Sequence, residues 1–209
     1  MLKRIFSVLC AAAVIMFAAN SQAHATSVSV VLDTPSGYFA EPEKVYQTVQ
    51  TSLDTIFGNS PEFEVRSVSE CDAYVQIYRE ELNRTDNWDS SYGGDNQRDL
   101  SLKKEDVAKI ADHFGDDYLI YVRVSSTAPR YTGGMFSSGQ KVNVTLDFRI
   151  WSREKRDLVY TKRAITTGKS NTIYFAGGGS TEHAIEKGLK KGLQDIEKEA
   201  SKIKAAMEG

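Results

Sequence analysis

The sequence predicts a layered α/β (α+β) domain, with a mixed sheet of about six strands and three main helices in the order β-α-β-β-α-β-β-β-α. Three stretches carry that prediction. Ser101–Ser126 reads as an amphipathic helix that stops at a glycine and turns at once into an apolar strand. Lys141–Trp151 alternates strictly between apolar and polar residues. The last stretch, Ile185 to Met207, keeps a helical period throughout.

The chain opens on an address label. Lys3-Arg4 is a short basic region, Ile5–Ala19 an apolar run too short to span a bilayer comfortably, and Ala23-His24-Ala25 a cleavage site of small residues. Residues 1–25 are therefore expected to be a cleavable signal peptide and 26–209 a single domain, periplasmic or secreted. No further apolar run follows that would span a membrane after cleavage. The formal charge of −2 becomes more acidic once Lys3 and Arg4 are removed, which gives no electrostatic case for nucleic acid or an anionic membrane. Of two cysteines Cys10 lies in the leader, so Cys71 has no partner for an intramolecular disulfide and is expected to sit quietly beside a strand.

Within 26–209, Ser27–Asp33 alternates as a first strand, with Val28, Val30 and Leu32 on one face. Thr34-Pro35-Ser36-Gly37 breaks it, and Pro42 suits the first turn of a helix striped by Val45, Tyr46, Val49, Leu53, Ile56 and Phe57. Phe63, Val65 and Val68 mark a second strand, and Ala73–Tyr78 a third, with Val75 and Ile77 on one face. Arg79–Leu100 has no period and is rich in Asp, Asn, Ser and Gly, a long loop. In the next helix Val107, Ile110, Ala111 and Phe114 face inward, Ser101 is the expected N-cap and Gly115 the left-handed stop. Tyr118–Val124 then has the composition of a strand covered on both faces. Thr127–Gly139 reads as a second loop and Arg153–Arg156 as a charged hairpin turn, from which Leu158–Thr167 returns. Gly168–Gly179 reads as a third loop. Ser180 or Thr181 caps the closing helix, where Gly188 and Gly192 permit close contact with the sheet.

The pattern Ala108–Phe114 into Gly115-Asp116-Asp117-Tyr118-Leu119-Ile120-Tyr121-Val122 resembles the helix, Gly-Ala-Asp-Tyr, apolar-strand signature of a bacterial envelope family. That family includes the amino-terminal domain of TolB, CsgG-type curli-secretion proteins and lipoprotein activators of penicillin-binding proteins. The hairpin Lys141–Thr167 and a closing helix after a Gly-rich loop are similar to it as well. At position 116 this chain has Asp where the family pattern has alanine. The resemblance implies a role in envelope assembly, secretion or cell-wall regulation.

No stretch carries a complete catalytic motif. Gly168-Lys169-Ser170 has the tail of a phosphate-binding loop, yet Arg163 stands where its first glycine belongs. His113 and His183 lie on separate helices without a zinc-ligand spacing, and no serine sits in a G-x-S-x-G elbow. The Asp86–Asp95 stretch lacks the calcium-loop spacing. No cofactor is expected.

One geometric expectation rises above composition. Because Gly115–Asp117 is a tight turn, the helix before it runs antiparallel to the strand after it. Four irregular segments then gather at that strand's carboxyl end, beside three helix N-termini. They hold Tyr38, Phe39, Trp88, Tyr92, Tyr131, Phe136, Tyr174 and Phe175. Exposed aromatics framed by Gly and Ser suit contact with an envelope protein, peptide or glycan. A non-catalytic binding module is the leading expectation. A small hydrolase or transferase using the same edge, and a small-ligand or stress-response protein, stand as alternatives.

Overall fold

The computed structural model describes residues 25–34, 42–86, 102–134, 137–173 and 180–209. Apart from Ala25, the expected signal peptide lies outside the described residues.

Six strands form one mixed sheet: β1 (Thr26–Asp33), β2 (Phe63–Val65), β3 (Tyr118–Ser126), β4 (Arg130–Gly134), β5 (Ser137–Ser152) and β6 (Asp157–Ile173). β1 is parallel to both β2 and β3, whereas β5 is antiparallel to β3, β4 and β6. β5 is long enough to pair β3 over Val144–Ser152 and then β4 over Ser137–Lys141 on the same side. The described helices are α1 (Pro42–Phe57), α2 (Val68–Asp86), α3 (Lys104–Phe114), α4 (Thr181–Glu197) and α5 (Ala200–Glu208).

The strand pleat sorts the core into two layers. Val28, Val30 and Leu32 of β1, Ile120, Val122 and Val124 of β3, and Val142–Ile150 at alternate positions of β5 face α1, α4 and α5. Val31, Leu119, Tyr121 and Trp151 face the other way, under Val75 of α2 and Val107, Ile110 and Ala111 of α3. β3 is thus covered on both faces, as its composition predicts.

The layered mixed class holds; several elements differ from expectation. Ala73–Tyr78 is not a strand but part of α2. Val68, Cys71, Val75, Tyr78 and Leu82 recur every three or four residues, and a six-residue window cannot separate that from alternation. Ile77, expected to be inside with Val75, is 57% exposed. The helix start was written in Ser67-x-x-Glu70: the Ser67 N–H donates to Glu70 Oε2 (3.1 Å) and the Glu70 N–H to Ser67 Oγ (3.3 Å). Arg79–Asp86 is accordingly helical rather than loop. Thr127–Gly139 contains β4 and the start of β5, and the expected third loop is strand as far as Ile173. The N-cap of α3 is Lys103 rather than Ser101, which lies outside the described residues; the Asp106 carboxylate accepts the Lys103 N–H at 2.9 Å. Gly115 ends α3 with φ 72°, its N–H on Ala111 O. The closing helix breaks into α4 and α5 at Glu199, whose carboxylate accepts from Tyr160 Oη (2.9 Å) and Lys162 Nζ (2.5 Å) on β6. Its apolar stripe survives the break, since Ile196, Ile203 and Met207 are all buried.

Gly188 and Gly192 do lie on the sheet. A Cβ at Gly188 would stand 2.6 Å from Val144 Cγ2, and at Gly168 1.6 Å from the Ala184 carbonyl oxygen. Helix and strand backbones touch there, so neither side can yield. Gly168→Ala is expected to destabilise the domain by at least about 3 kcal/mol. Gly192→Ala, whose Cβ meets nothing nearer than Leu146 Cδ2 at 3.4 Å, should stay within about 1 kcal/mol of the parent. Chemical denaturation of both variants checks the pair.

Candidate functional site

The carboxyl end of β3 is where the chain repeatedly enters and leaves the sheet. Asp33, the last residue of β1, is level with Arg123. The β4–β5 hairpin continues beyond Ser126, and Ile173 at the end of β6 is level with Ser137. α4 starts at the same end: its Thr181 hydroxyl bonds Gln140 Oε1, and its N-cap Ser180 accepts the His183 N–H at 3.1 Å. α3 runs antiparallel to β3 through the Gly115 turn, which puts Lys103 there too.

Of the eight aromatic residues expected at this rim, Tyr131 is described. It lies on β4 opposite Gln140, beside the start of α4, and is 76% exposed. It is no plug. Tyr38, Phe39, Trp88, Tyr92, Phe136, Tyr174 and Phe175 lie outside the described residues.

Beneath the rim sits a constellation that sequence reasoning missed. Asp33 is 1% exposed, and its carboxylate accepts Tyr121 Oη at 2.5 Å and Arg79 Nη2 at 2.6 Å. Burial, and then the Asp33 charge and hydrogen bond, push the Tyr121 hydroxyl well above the ordinary phenol range. It therefore stays a donor. The Arg149 guanidinium stands 5.9 Å above the Tyr121 ring. Next to it Asp106 accepts Tyr78 Oη at 2.8 Å, binding α2 to α3. These buried carboxylates are taken up by hydrogen bonds within the domain, an arrangement that fixes the rim's floor. The one visible signal was a charged residue ending an otherwise apolar strand.

At the opposite end a second buried carboxylate locks the sheet. Asp116 is 4% exposed and accepts Ser29 Oγ (2.7 Å), Arg66 Nε (2.6 Å) and Arg66 Nη2 (3.0 Å). Asp117 beside it accepts the backbone N–H and the hydroxyl of Ser27. The residue that departs from the family pattern thus joins α3's exit to β1 and to the segment after β2.

His113 lies flat on Tyr74, ring centroids 3.5 Å apart, in the α2–α3 contact. His183 is on α4 with Glu186 at 3.6 Å. Among the described residues no group of three or more His, Cys, Asp or Glu side chains is placed to hold a metal ion. Gly168-Lys169-Ser170 is extended strand, with Ser170 buried. Cys71 is buried on α2, and burial raises its thiol pKa. No described helix is long and apolar enough to cross a membrane.

No protein-family model matches the chain, and no curated protein matches it. Solved structures do. The LpoB C-terminal domain from Salmonella enterica is similar at 16% identity and TM-score 0.34, covering 72% of this chain and 89% of that one. A lipoprotein from Neisseria meningitidis is similar at 14% identity and TM-score 0.36, over 86% of this chain and 98% of that one. A minor lipoprotein from Acinetobacter baumannii is similar at 11% identity and TM-score 0.37, over 84% and 92%. The last two are lipoproteins by description. At such scores the likeness is loose, and the functional reading stands on the chain's own residues.

The Asp116 latch makes a pH prediction. Burial works to raise this carboxyl's pKa, but the Arg66 and Ser29 bonds outweigh it and hold it below the ordinary value. A carboxyl depressed in the folded state stabilises above its unfolded pKa and loses that contribution as pH falls through the folded one. Arg66 is 48% exposed, which screens the pair. Asp116→Asn is expected to cost about 2 kcal/mol at pH 7, with the gap to wild type closing below about pH 4. Urea melts across that range check it; a pH-independent gap would remove the titrating pair as the cause.

Proposed function

We propose that the chain is an exported, non-catalytic module of the bacterial envelope that binds a protein partner through the rim at the carboxyl end of β3. Its place is in envelope assembly, secretion or cell-wall regulation. The observation that carries this reading is Tyr131, three-quarters exposed on a strand at the rim. An aromatic side chain presented on a rigid strand gives large contact area at small entropic cost.

The electrostatics agree with binding rather than bond-breaking. Asp33, Asp106 and Asp147 are each taken up by a hydroxyl, a backbone N–H or a guanidinium within the domain. General acid–base work needs a group that can reach a substrate, and these are committed elsewhere. The signal-peptide pattern of residues 1–25 supports export.

The test is crosslinking in the native host with tagged protein, followed by mass spectrometry. Wild type is compared with Tyr131→Ala and with a Trp88→Ala/Tyr174→Ala double variant. Tyr131→Ala should melt within about 0.5 kcal/mol of wild type, since the side chain is exposed. One dominant envelope protein, captured about tenfold less by the variants, is the expected result. Equal capture by the folded variants, or no enriched partner, would sink the rim as a binding site.

A further inference from the structure

Among the described residues β6 pairs with β5 alone, from Asp157 to Ile173 with one register shift at Ile150/Trp151, and no strand lies along its outer edge. The direction of its free backbone groups follows from one neighbour. The Asn143 N–H donates to Thr127 Oγ1 (3.2 Å), and the Thr127 N–H donates to the Asn143 carbonyl (2.9 Å). Asn143 therefore turns its backbone away from β6. In an antiparallel ladder its partner Thr167 must then turn its own N–H and C=O outward. Alternation extends this to Thr161, Arg163, Ile165 and Lys169. Lys191 Nζ reaches the Thr167 carbonyl from α4 at 3.4 Å, which is consistent with that direction.

The same five residues place their side chains on the sheet face opposite α4, where α2 and α3 do not extend. Ile165 is 69% exposed there, and the Arg163 side chain 60%. Charge is arranged in rows across the strands. One row reads Asp33, Arg123, Asp147, Arg163, with signs that alternate and an Arg163–Asp147 bond of 2.5 Å. The next charged row toward the rim reads Arg130, Lys141, Lys169, three exposed cations on adjacent strands. Directly opposed like charges destabilise a sheet. Both rows end at β6 on a cation, and from Leu158 to Asn171 the strand has no acidic residue.

We propose that the outer edge of β6 accepts an extended acidic segment of a partner protein as an added strand. The inference rests on the reading of the chain as a protein-binding module and names its partner's chemistry. Outward N–H and C=O groups give affinity, and alternate side chains give the sequence preference. Carboxylates lie opposite Lys169 and Arg163, six positions apart, with an apolar residue opposite Ile165. A second copy is the poorer occupant, because with no acidic residue from Leu158 to Asn171 it brings no carboxylate to Arg163 or Lys169, and a two-fold pairing centred on Thr166 would set those two cations against each other.

The test uses the mature chain and a fluorescent nonapeptide, Thr-Glu-Thr-Thr-Thr-Val-Thr-Glu-Thr, against a control with Lys for both Glu. Anisotropy should show binding of the acidic peptide and at least about tenfold weaker binding of the control. Lys169→Glu should weaken the acidic peptide by a similar factor and improve the control. Hydrogen exchange should slow at Thr161, Arg163, Ile165, Thr167 and Lys169 when the acidic peptide is bound. No binding, equal binding of both peptides, or protection elsewhere would overturn the proposal. So would a Lys169→Glu protein that dimerises by light scattering while its peptide response is unchanged, since the lysine would then only guard the edge. Peptide failure with host capture through Tyr131 intact removes the β6 edge and leaves the module reading. The reverse result removes the rim and leaves the edge.

Discussion

β3 is closed on every side, and the domain depends on that closure. Its edges pair with β1 in parallel and β5 in antiparallel register. Its faces lie under α1, α4 and α5 on one side and α2 and α3 on the other. Ile120, Val122 and Val124 face one layer while Leu119 and Tyr121 face the other, all within 1% of full burial. Neither helix layer alone would bury the strand, so the two are thermodynamically bound to each other through it. α3 is delivered to β3 by one left-handed glycine, Gly115, which sets the antiparallel course that fixes the rim.

The two ends of the sheet then have different duties. At the amino end of β3, Asp116 and Asp117 tie β1 and the segment after β2 to the α3 exit. At the carboxyl end the buried Asp33, Tyr121 and Arg79 bonds hold β1, β3 and α2 together just below the surface.

What was legible in the sequence was what a single period can carry. The Lys141–Trp151 alternation, the Gly115 stop, the Pro42 helix start and the stripe through Met207 all reappear. α2 was misread because Val75 and Ile77 imitate alternation over a short window, although Ser67-x-x-Glu70 announced a helix start. β4 gave no apolar alternation: Arg130–Gly134 is held in the β5 ladder. The break at Glu199 has no local cause, since the residues that take its carboxylate are on β6, about forty positions earlier in the chain. Charge segregation was equally hidden. Net charge is slightly negative, and the cationic row exists only because register brings Arg130, Lys141 and Lys169 level.

That row bears on what its charges are for. Lysines on an edge strand commonly prevent edge-to-edge aggregation, and Lys169 would serve. Arg130 would serve likewise on β4, which among the described residues pairs with β5 alone; Lys141 is different. Lys141 lies on β5, hydrogen-bonded on both sides, where no edge needs guarding, and both of its cross-strand neighbours repel it. Nearby, in the Asp33–Arg163 row, the same sheet alternates its charges and turns adjacency into attraction. Protection against self-pairing accounts for two of the three cations, and leaves Lys141 and the repulsion it meets unexplained. An acidic strand laid beside β6 would relieve it, and would extend to Lys169 the alternation already present at Arg163.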